Sequence, residues 1–191
     1  MSQQHSEQHP AATRQSIFLV GLMGAGKTSV GRMLAKRANK AFYDTDAEIE
    51  RTTGVKIPVI FDIEGESGFR AREEKVIERL SAMHDIVLAT GGGAVLSPAN
   101  RACLRRHGRV IYLRATAEDL WRRTRHDRNR PLLQTANPLA KLQELHAQRD
   151  PLYSEVADLI VDTGAQSIGT LTTQIQKLLD DLEQGTSQNQ I

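Results

Sequence analysis

Short apolar runs alternate with segments of helical periodicity along most of the chain. The runs of strand length lie at 17–20, 41–44, 86–89, 110–113 and 159–161. Helical spacing of apolar side chains marks 27–38, 46–53, 73–83, about 116–124, 138–148 and 168–182. Strands that alternate with helices are typical of a parallel sheet covered on both faces. The pattern therefore predicts an α/β fold with a five-stranded parallel sheet flanked by helices.

Local signals set several helix ends. Ser97 followed by Pro98 has the pattern of an N-cap and a first helical residue. Thr116 with Asp119 three positions later fits a capping motif and opens another helix. Pro151 predicts a helix break directly after Asp150, because proline lacks the backbone N–H that a helix interior needs.

Three segments lack the periodicity of strands or helices. The stretch 125–137 is rich in arginine, and a loop of this length suggests a functional lid. The polar ends, 1–15 and 184–191, predict disordered tails. We therefore expect one domain over 16–183, with a mobile lid at about 125–137.

Composition excludes several classes of protein. The 191 residues are 39% hydrophobic and carry a net charge of +2, which gives no strong field toward nucleic acid or a membrane. No apolar run approaches the length of a membrane span, and the polar N-terminus does not resemble a secretory signal. The single cysteine, Cys103, excludes an internal disulfide framework. We expect a cytoplasmic protein that binds neither nucleic acid nor membrane.

The first strand leads into the segment Gly21-Leu22-Met23-Gly24-Ala25-Gly26-Lys27-Thr28, which fits the P-loop pattern G-x-x-x-x-G-K-[ST]. Glycines let backbone N–H groups surround phosphate oxygens, and the following helix adds positive charge at its N-terminus. Lys27 is placed to reach the β- and γ-phosphates, and Thr28 to ligate Mg²⁺. The alternative is a plain strand-to-helix turn, which would need neither Lys27 nor Thr28. The segment predicts binding of ATP and Mg²⁺.

Other patterns narrow the class of P-loop protein. The chain lacks the Asn-Lys-x-Asp motif that reads guanine in switch GTPases. Asp162 ends the fifth strand, but it lies far along the chain and more simply marks the strand end than a Walker B acid. Compact size and an arginine-rich loop favour a small-molecule kinase, whose lid excludes water from the γ-phosphate.

Polar groups follow two of the predicted strands, where open α/β sheets bind ligands. Asp44 and Asp46 follow the second strand; one carboxylate can hold Mg²⁺ through water, and the other can accept a proton from a substrate hydroxyl. The alternative is that Asp46 only caps the next helix. The glycines 91–93 follow the third strand and allow close approach of a ligand.

Two arginines are candidates for binding a carboxylate. Arg70 can clamp a carboxylate bidentately, with Glu73 placed to hold it at i,i+3 spacing. The equally weighted alternative is a solvated ion pair. Arg149 is the second candidate, although it can also be an ordinary cation at a helix C-terminus.

Taken together, these motifs resemble the shikimate kinases, in the P-loop group that also contains nucleoside-monophosphate kinases. The resemblance covers about 16–182 and implies a three-layer P-loop kinase fold. In order, the motifs that carry it are Gly24-Ala25-Gly26-Lys27-Thr28, Asp44-Thr45-Asp46, Phe69-Arg70 with Glu73, Gly91-Gly92-Gly93, Arg130-Pro131-Leu132-Leu133 and Arg149-Asp150-Pro151-Leu152-Tyr153.

The resemblance implies ATP- and Mg²⁺-dependent phosphorylation of the 3-hydroxyl of shikimate, a step of chorismate and aromatic amino acid biosynthesis, by a monomer. It implies catalytic roles for Lys27, for Asp46 as base and for Arg130 on the lid. The implied nucleotide-binding residues are Gly24, Ala25, Gly26, Lys27, Thr28, Ser29, Arg123, Arg130 and Gln166. The implied shikimate-binding residues are Asp46, Arg70, Gly91, Gly92, Gly93 and Arg149, within a region of about 45–80 and the later loops. Thr28 and, through water, Asp44 are the implied metal ligands.

Two alternatives to shikimate phosphorylation stay open at this point. A kinase of gluconate or of a nucleoside monophosphate has the same P-loop, and gluconate is also a hydroxylated carboxylate. A nucleic-acid-binding ATPase could use the arginines at 101–130, although aromatic residues, at 4%, provide few stacking platforms. The segment 164–168 also lacks the proline and arginine that mark the adenine loop in some relatives.

Overall fold

Five parallel strands form one sheet in the order β2-β3-β1-β4-β5 in the computed structural model, which describes residues 15–127 and 131–188. The strands are β1 Ser16–Val20, β2 Ala41–Asp44, β3 Ile86–Ala89, β4 Gly108–Arg114 and β5 Leu159–Asp162. Every residue of β1 and β3 is buried, as expected for strands covered on both faces. The predicted α/β fold is confirmed, and each predicted strand is present with at most small changes at its ends.

Seven α-helices connect and cover the strands within the described residues. They are α1 Lys27–Ala38, α2 Thr45–Thr53, α3 Ile57–Ser81, α4 Pro98–His107, α5 Ala117–Thr124, α6 Pro138–Val156 and α7 Ile168–Gln188. The predicted caps are confirmed, because the Ser97 side chain accepts from the Asn100 N–H and that of Thr116 from the Asp119 N–H. None of the described helices has both the length and the apolar composition that a membrane crossing requires.

The P-loop turn depends on glycine at its start. Gly21 directly follows β1 with a φ of 139°, in a region that side chains rarely adopt. A Cβ atom there would also lie 2.5 Å from the Leu113 carbonyl oxygen of β4, where backbone cannot yield. Gly24 and Gly26 also have positive φ, and Gly26 is the N-cap of α1. The turn therefore depends on glycines at the positions whose backbone angles other residues rarely adopt.

Helix α3 is longer than the periodicity predicts. It begins at Ile57, with Pro58 in its first turn, and a non-helical Gly65 divides it (φ 70°, ψ −176°). The prediction of a helix only from residue 73 was wrong, because the kink at Gly65 interrupts the apolar stripe and leaves Ile63 76% exposed. Arg70 consequently lies within the second half of α3.

Helix α6 continues through Pro151 to Val156, so the predicted end at residue 148 and the predicted break at Pro151 were wrong. Proline removes one helical hydrogen bond, but Tyr153 and Val156, both at most 2% exposed, anchor the last turns in the core. Arg149 therefore lies in the interior of α6 and not at its end.

Helix α7 also passes its predicted end at Leu182 and reaches Gln188. The apolar periodicity stops at 182, but backbone hydrogen bonding needs no apolar side chain to continue. The expected C-terminal tail from 184 thus overlaps the end of this helix. The expected N-terminal tail, except for Gln15, lies outside the described residues.

A buried carboxylate joins α2 to α3. Glu48 of α2 accepts two hydrogen bonds from Arg51, both 2.8 Å long, and a further one from Arg79 of α3. The two hydrogen bonds from Arg51, and then the one from Arg79, lower the pKa of the Glu48 carboxyl to about 2, although burial opposes them. This network holds α2 against α3.

We expect Glu48→Gln to lower the free energy of unfolding at neutral pH by about 1–3 kcal/mol, because the two arginines lose their charged acceptor. The folded pKa lies below the unfolded value of about 4.5, so this contribution is complete above that pH and is lost as the pH falls toward about 2. Urea unfolding should therefore show the gap in unfolding free energy between wild type and variant closing as the pH falls from about 5 to about 2.

Glu74→Gln is the matched control, since Glu74 is an exposed carboxylate of α3, the helix that carries Arg79. We expect it to change the free energy of unfolding by less than about 0.5 kcal/mol. If the loss of unfolding free energy in Glu48→Gln stayed constant across this pH range, the ionised Glu48 carboxylate would not be the stabilising group.

Candidate active site

Two cavities adjoin each other at the carboxyl ends of β1, β2 and β3. One has a volume of about 400 Å³ and lies beside α2 and α3. The other, of about 440 Å³, lies over the P-loop. We name them the acceptor cavity and the nucleotide cavity. The residues that line both are Met23, Asp46, Gly91 and Gly92.

The nucleotide cavity has the predicted P-loop residues on its wall. Its lining includes Gly24, Gly26, Lys27, Thr28 and Ser29. The Lys27 ammonium group donates to the carbonyl oxygens of Gly21 at 2.7 Å and Leu22 at 2.9 Å, which holds the side chain along the loop. Ala25, also predicted, is buried at 1% exposure and contributes its backbone position. The arrangement suits a polyphosphate that lies against backbone N–H groups.

Asp44 connects the P-loop helix to the helix that carries Asp46. Its Oδ2 accepts from the Thr28 hydroxyl at 2.7 Å, and its Oδ1 accepts from the backbone N–H groups of Asp46 and Ala47. Asp44 is therefore the N-cap of α2, and the alternative in which Asp46 caps this helix is wrong. Asp46 instead directs its carboxylate to the boundary between the two cavities.

The glycines 91–93 form a loop that is fixed at several points. The Gly91 N–H donates to the buried Thr45 hydroxyl at 2.8 Å. The Gly92 carbonyl accepts from the Arg149 guanidinium at 3.0 Å and from the Tyr153 hydroxyl. A Cβ atom on Gly93 would collide with the Arg70 guanidinium, so only glycine permits this approach.

Arg70 lies in the acceptor cavity between two carboxylates. It donates to Glu73 at 2.7 Å and to Glu66 at 2.9 and 3.3 Å, which uses three of its five N–H groups. Glu73 is 1% exposed, so the expectation that it holds Arg70 is confirmed and a solvated pair is wrong. Burial raises the pKa of the Glu73 carboxyl, while the Arg70 charge acts in the opposite direction.

Arg149 is the most deeply buried arginine that faces the acceptor cavity, at 3% exposure. It has no carboxylate within salt-bridge distance among the described residues, and its Nε has no hydrogen-bond partner there. A buried guanidinium with unused donors is costly unless an anion is bound. The cavity therefore favours a ligand with a carboxylate near Arg149.

An apolar wall faces these charged groups. Phe61 and Phe69 lie with their ring centroids 4.9 Å apart, and Ile57 and Leu132 complete the wall. The Arg70 guanidinium lies 5.2 Å from the Phe69 ring, close enough for a cation–π contact. The wall suits the carbon skeleton of a small ring, whose polar groups would meet the opposite side.

Arg123 and Gln166 were expected beside the adenine. Arg123 lines the nucleotide cavity and donates to the Thr163 hydroxyl at 3.0 Å and to the Gly164 carbonyl, which links α5 to the loop after β5. Gln166 is not among the described residues of that cavity; its amide donates to the Asp162 carbonyl and to Gln174. Arg130, the expected lid residue, lies outside the described residues.

Asp162 does not take part in either cavity among the described residues. Its carboxylate accepts from Arg114 of the neighbouring strand at 2.7 and 2.9 Å. The interpretation of Asp162 as a strand-end residue is thus confirmed, and no Walker B role follows from its position.

Sequence reasoning missed the residues that hold the site from behind. Thr45 anchors the glycine loop, although it stands between two aspartates that received roles. Tyr153 lies one helical turn after Arg149, at i+4 spacing, which places both on one face of α6. Phe61 was missed because it lies in the first half of α3, where apolar periodicity predicted no helix. Spacing along α6 alone could have indicated Tyr153.

Comparison with known proteins gives a consistent result. The family model "SKI: Shikimate kinase" matches residues 23–180. A shikimate kinase of Thiobacillus denitrificans is 64% identical over 170 residues, which are 89% of this chain and 93% of that protein. A shikimate kinase of Ralstonia nicotianae is 58% identical over 165 residues, which are 86% of this chain and 87% of that protein.

A solved structure agrees in three dimensions. Shikimate kinase from Acinetobacter baumannii, in complex with shikimate, superposes with a TM-score of 0.87 at 48% identity and covers 88% of this chain and 94% of that one. The family model spans both cavities, from Met23 of the P-loop past Arg149 of α6. The fold, the P-loop and the long similarity lead to one conclusion: the chain belongs to the shikimate kinase family.

Proposed function

We propose that the protein transfers the γ-phosphoryl group of ATP to the 3-hydroxyl of shikimate, giving shikimate 3-phosphate and ADP. The observation that carries this proposal is the position of Asp46, whose side chain borders both cavities. An acceptor hydroxyl in one cavity and a terminal phosphate in the other would meet at this carboxylate. By its family, the reaction is a step of chorismate and aromatic amino acid biosynthesis.

The acceptor cavity suits shikimate, a ring with one carboxylate and several hydroxyls. Arg149 has no carboxylate partner among the described residues, and Arg70 retains two N–H groups beyond those given to glutamates. We assign the substrate carboxylate to these two arginines. The glycines 91–93 let the ring approach the backbone, and Phe61 and Phe69 cover its apolar face.

The chemical step needs positioning and charge stabilisation more than covalent chemistry. The oxygen of the acceptor hydroxyl bonds to the γ-phosphorus, and the bond between this phosphorus and the bridging oxygen of ADP breaks. The hydroxyl proton goes to the Asp46 carboxylate, and the bonding electrons leave with ADP. Lys27 and Arg130 balance the negative charge on the transferred phosphoryl group.

ATP is the phosphoryl donor of this family, and we propose that Mg²⁺ accompanies it. The residues present fit the ion, because Thr28 Oγ1 and Asp44 Oδ2 are hard oxygen ligands 2.7 Å apart on the nucleotide side. Thr28 would bind the ion directly and Asp44 through water. Bound Mg²⁺ would neutralise phosphate charge. Gly24, Ala25, Gly26 and Ser29 would surround the phosphates, with Arg123 and Gln166 toward the adenine.

We further propose the remaining organisation of the enzyme. Residues 16–183 form one kinase domain, in which about 45–80 hold the acceptor and about 125–137 form a mobile lid that brings Arg130 to the phosphates. Leu132 on the acceptor cavity wall supports this position for the lid. The protein acts on a small molecule, as a cytoplasmic monomer, without nucleic acid or membrane.

An assay of ADP release across shikimate, gluconate and AMP tests the function directly. We expect turnover with shikimate that needs Mg²⁺ and stops on chelation, because charge on the phosphates must be neutralised. Gluconate lacks the ring that the apolar wall fits, and AMP carries a phosphate where the cavity offers a carboxylate site. Turnover with gluconate or AMP, and none with shikimate, would overturn the proposal.

Asp46→Asn tests the base. We expect kcat to fall by about 10²–10⁴, since an amide cannot accept the hydroxyl proton, while the dissociation constant for ATP stays within about twofold. Asp62→Asn, an exposed residue of α3, is the control and should leave both values unchanged. Near wild-type kcat for Asp46→Asn would leave this carboxylate only an orienting role.

Arg70→Lys tests the carboxylate site with the positive charge retained beside Glu73. We expect KM for shikimate to rise about tenfold or more, because lysine cannot form a bidentate contact, with little change in KM for ATP. Arg72→Lys on the same helix, where Arg72 pairs with Glu64 outside both cavities, is the control. Equal rises in both KM values would remove Arg70 from the acceptor site.

A further inference from the structure

The Gly92 carbonyl accepts two hydrogen bonds from one helix. Arg149 Nη1 donates at 3.0 Å, and the Tyr153 hydroxyl donates to the same oxygen. The two donors lie at i and i+4 on α6, so a single rigid helix face presents both. Gly92 itself borders the acceptor and the nucleotide cavity. The position of this carbonyl thus affects both sides of the site.

The glycine loop requires external anchors because glycine side chains provide none. Thr45 holds one end through the Gly91 N–H, and the Ala94 N–H bonds back to the Gly91 carbonyl at 3.1 Å. Between these points, the described contacts of Gly92 with side-chain donors are those with Arg149 and Tyr153. Without the tyrosine, Arg149 would be the remaining side-chain donor to the Gly92 carbonyl and would also have to bind the substrate carboxylate.

The surroundings of Tyr153 direct its hydroxyl to the Gly92 carbonyl. It is fully buried, at 0% exposure, and its ring lies 4.8 Å from that of Tyr112. Burial raises the pKa of the Tyr153 hydroxyl above its ordinary value, so the group keeps its proton throughout the physiological range. Burial and the contact with Tyr112 restrict the ring, so the hydroxyl can reach only nearby acceptors.

We infer that Tyr153 is a positioning residue, which fixes the Gly92 carbonyl and so leaves the other donors of Arg149 to the carboxylate of the acceptor substrate. Tyr153 lines neither cavity among the described residues and acts through Arg149 and the glycine loop. The inference rests on the proposed function for its substrate, but not for its geometry. It predicts an effect on acceptor binding from a side chain that touches no ligand.

Tyr153→Phe keeps the ring and removes the hydroxyl. We expect KM for shikimate to rise about 3- to 10-fold, the effect of one lost buried hydrogen bond, with KM for ATP within about twofold. We expect kcat to fall by less than about threefold, because the phosphoryl-transfer groups remain in place. A calorimetric dissociation constant for shikimate without nucleotide should rise by the same factor as KM.

Tyr112→Phe is the matched control. It removes one hydroxyl from the other ring of the same pair, but that hydroxyl donates to Asp150 at 2.8 Å, and neither residue lines either cavity within the described chain. We expect a similar change in melting temperature and no change in KM for shikimate beyond about twofold. Equal KM values in both variants would reduce Tyr153 to a packing residue and overturn the inference.

A measurement without substrate separates this inference from the proposed function. The Gly93 N–H belongs to the same peptide group as the Gly92 carbonyl, so its NMR resonance reports hydrogen bonding to that oxygen. We expect a clear shift in Tyr153→Phe and a much smaller one in Tyr112→Phe. An unchanged resonance would overturn the inference even if the enzyme phosphorylates shikimate. A wild type inactive on shikimate would overturn the function and leave the resonance to decide the geometry.

The wild-type protein provides a test if Tyr153→Phe does not fold. A buried hydroxyl bonded to a carbonyl should exchange its proton with water slowly enough for NMR detection, and Tyr112→Phe separates its signal from that of the other tyrosine. We expect a protected hydroxyl proton at Tyr153. Rapid exchange of this proton would show that the hydroxyl does not hold Gly92 and would contradict the inference.

Discussion

The candidate active site depends on the Asp44 carboxylate, which lies on the wall of the nucleotide cavity. Asp44 ends β2, caps α2 through two backbone N–H groups and accepts the hydroxyl of Thr28 on α1. A single side chain thereby sets the distance between the phosphate-binding loop and the helix that carries Asp46. Such an arrangement is preorganised, since neither helix must move for the two cavities to share their boundary. The Asp44 cap therefore does more than stabilise α2, because it also fixes the position of Asp46 relative to the P-loop.

A second level of support comes from α6 and α3, which hold the charged groups of the acceptor cavity. Both helices contain a residue that ordinarily interrupts a helix, Pro151 in one and Gly65 in the other. Buried side chains after each one, Tyr153 and Phe69, pack the following segment against the core. At Pro151 this packing overrides local propensity and the helix continues, whereas at Gly65 the helix is divided and packing holds the second half, which presents Arg70.

These same places mark the limit of what the sequence could predict. The strands, the P-loop turn and the helix caps follow from local rules, since apolar runs, glycine dihedrals and capping side chains act over a few residues. Apolar periodicity did not predict the first half of α3 or the last turns of α6, because their stability comes from contacts distant in sequence. The candidate site was anticipated at Asp46, Arg70 and Arg149 through motifs. Thr45 and Tyr153 lie within the same motifs but received no role, because their hydrogen bonds to the glycine loop join positions distant in the chain.

The charge distribution explains why an almost neutral protein contains 18 arginines. Most described arginines lie at the surface or pair with carboxylates, as Arg51 and Arg79 do with Glu48. Arg149 differs, because it is buried, faces a cavity and has an unpartnered Nε among the described residues. A buried cation of this kind lowers stability in the free protein. An anionic acceptor would relieve that cost on binding. Because the desolvation of Arg149 is already incurred in folding, the interaction favours a ligand with a carboxylate over a neutral one.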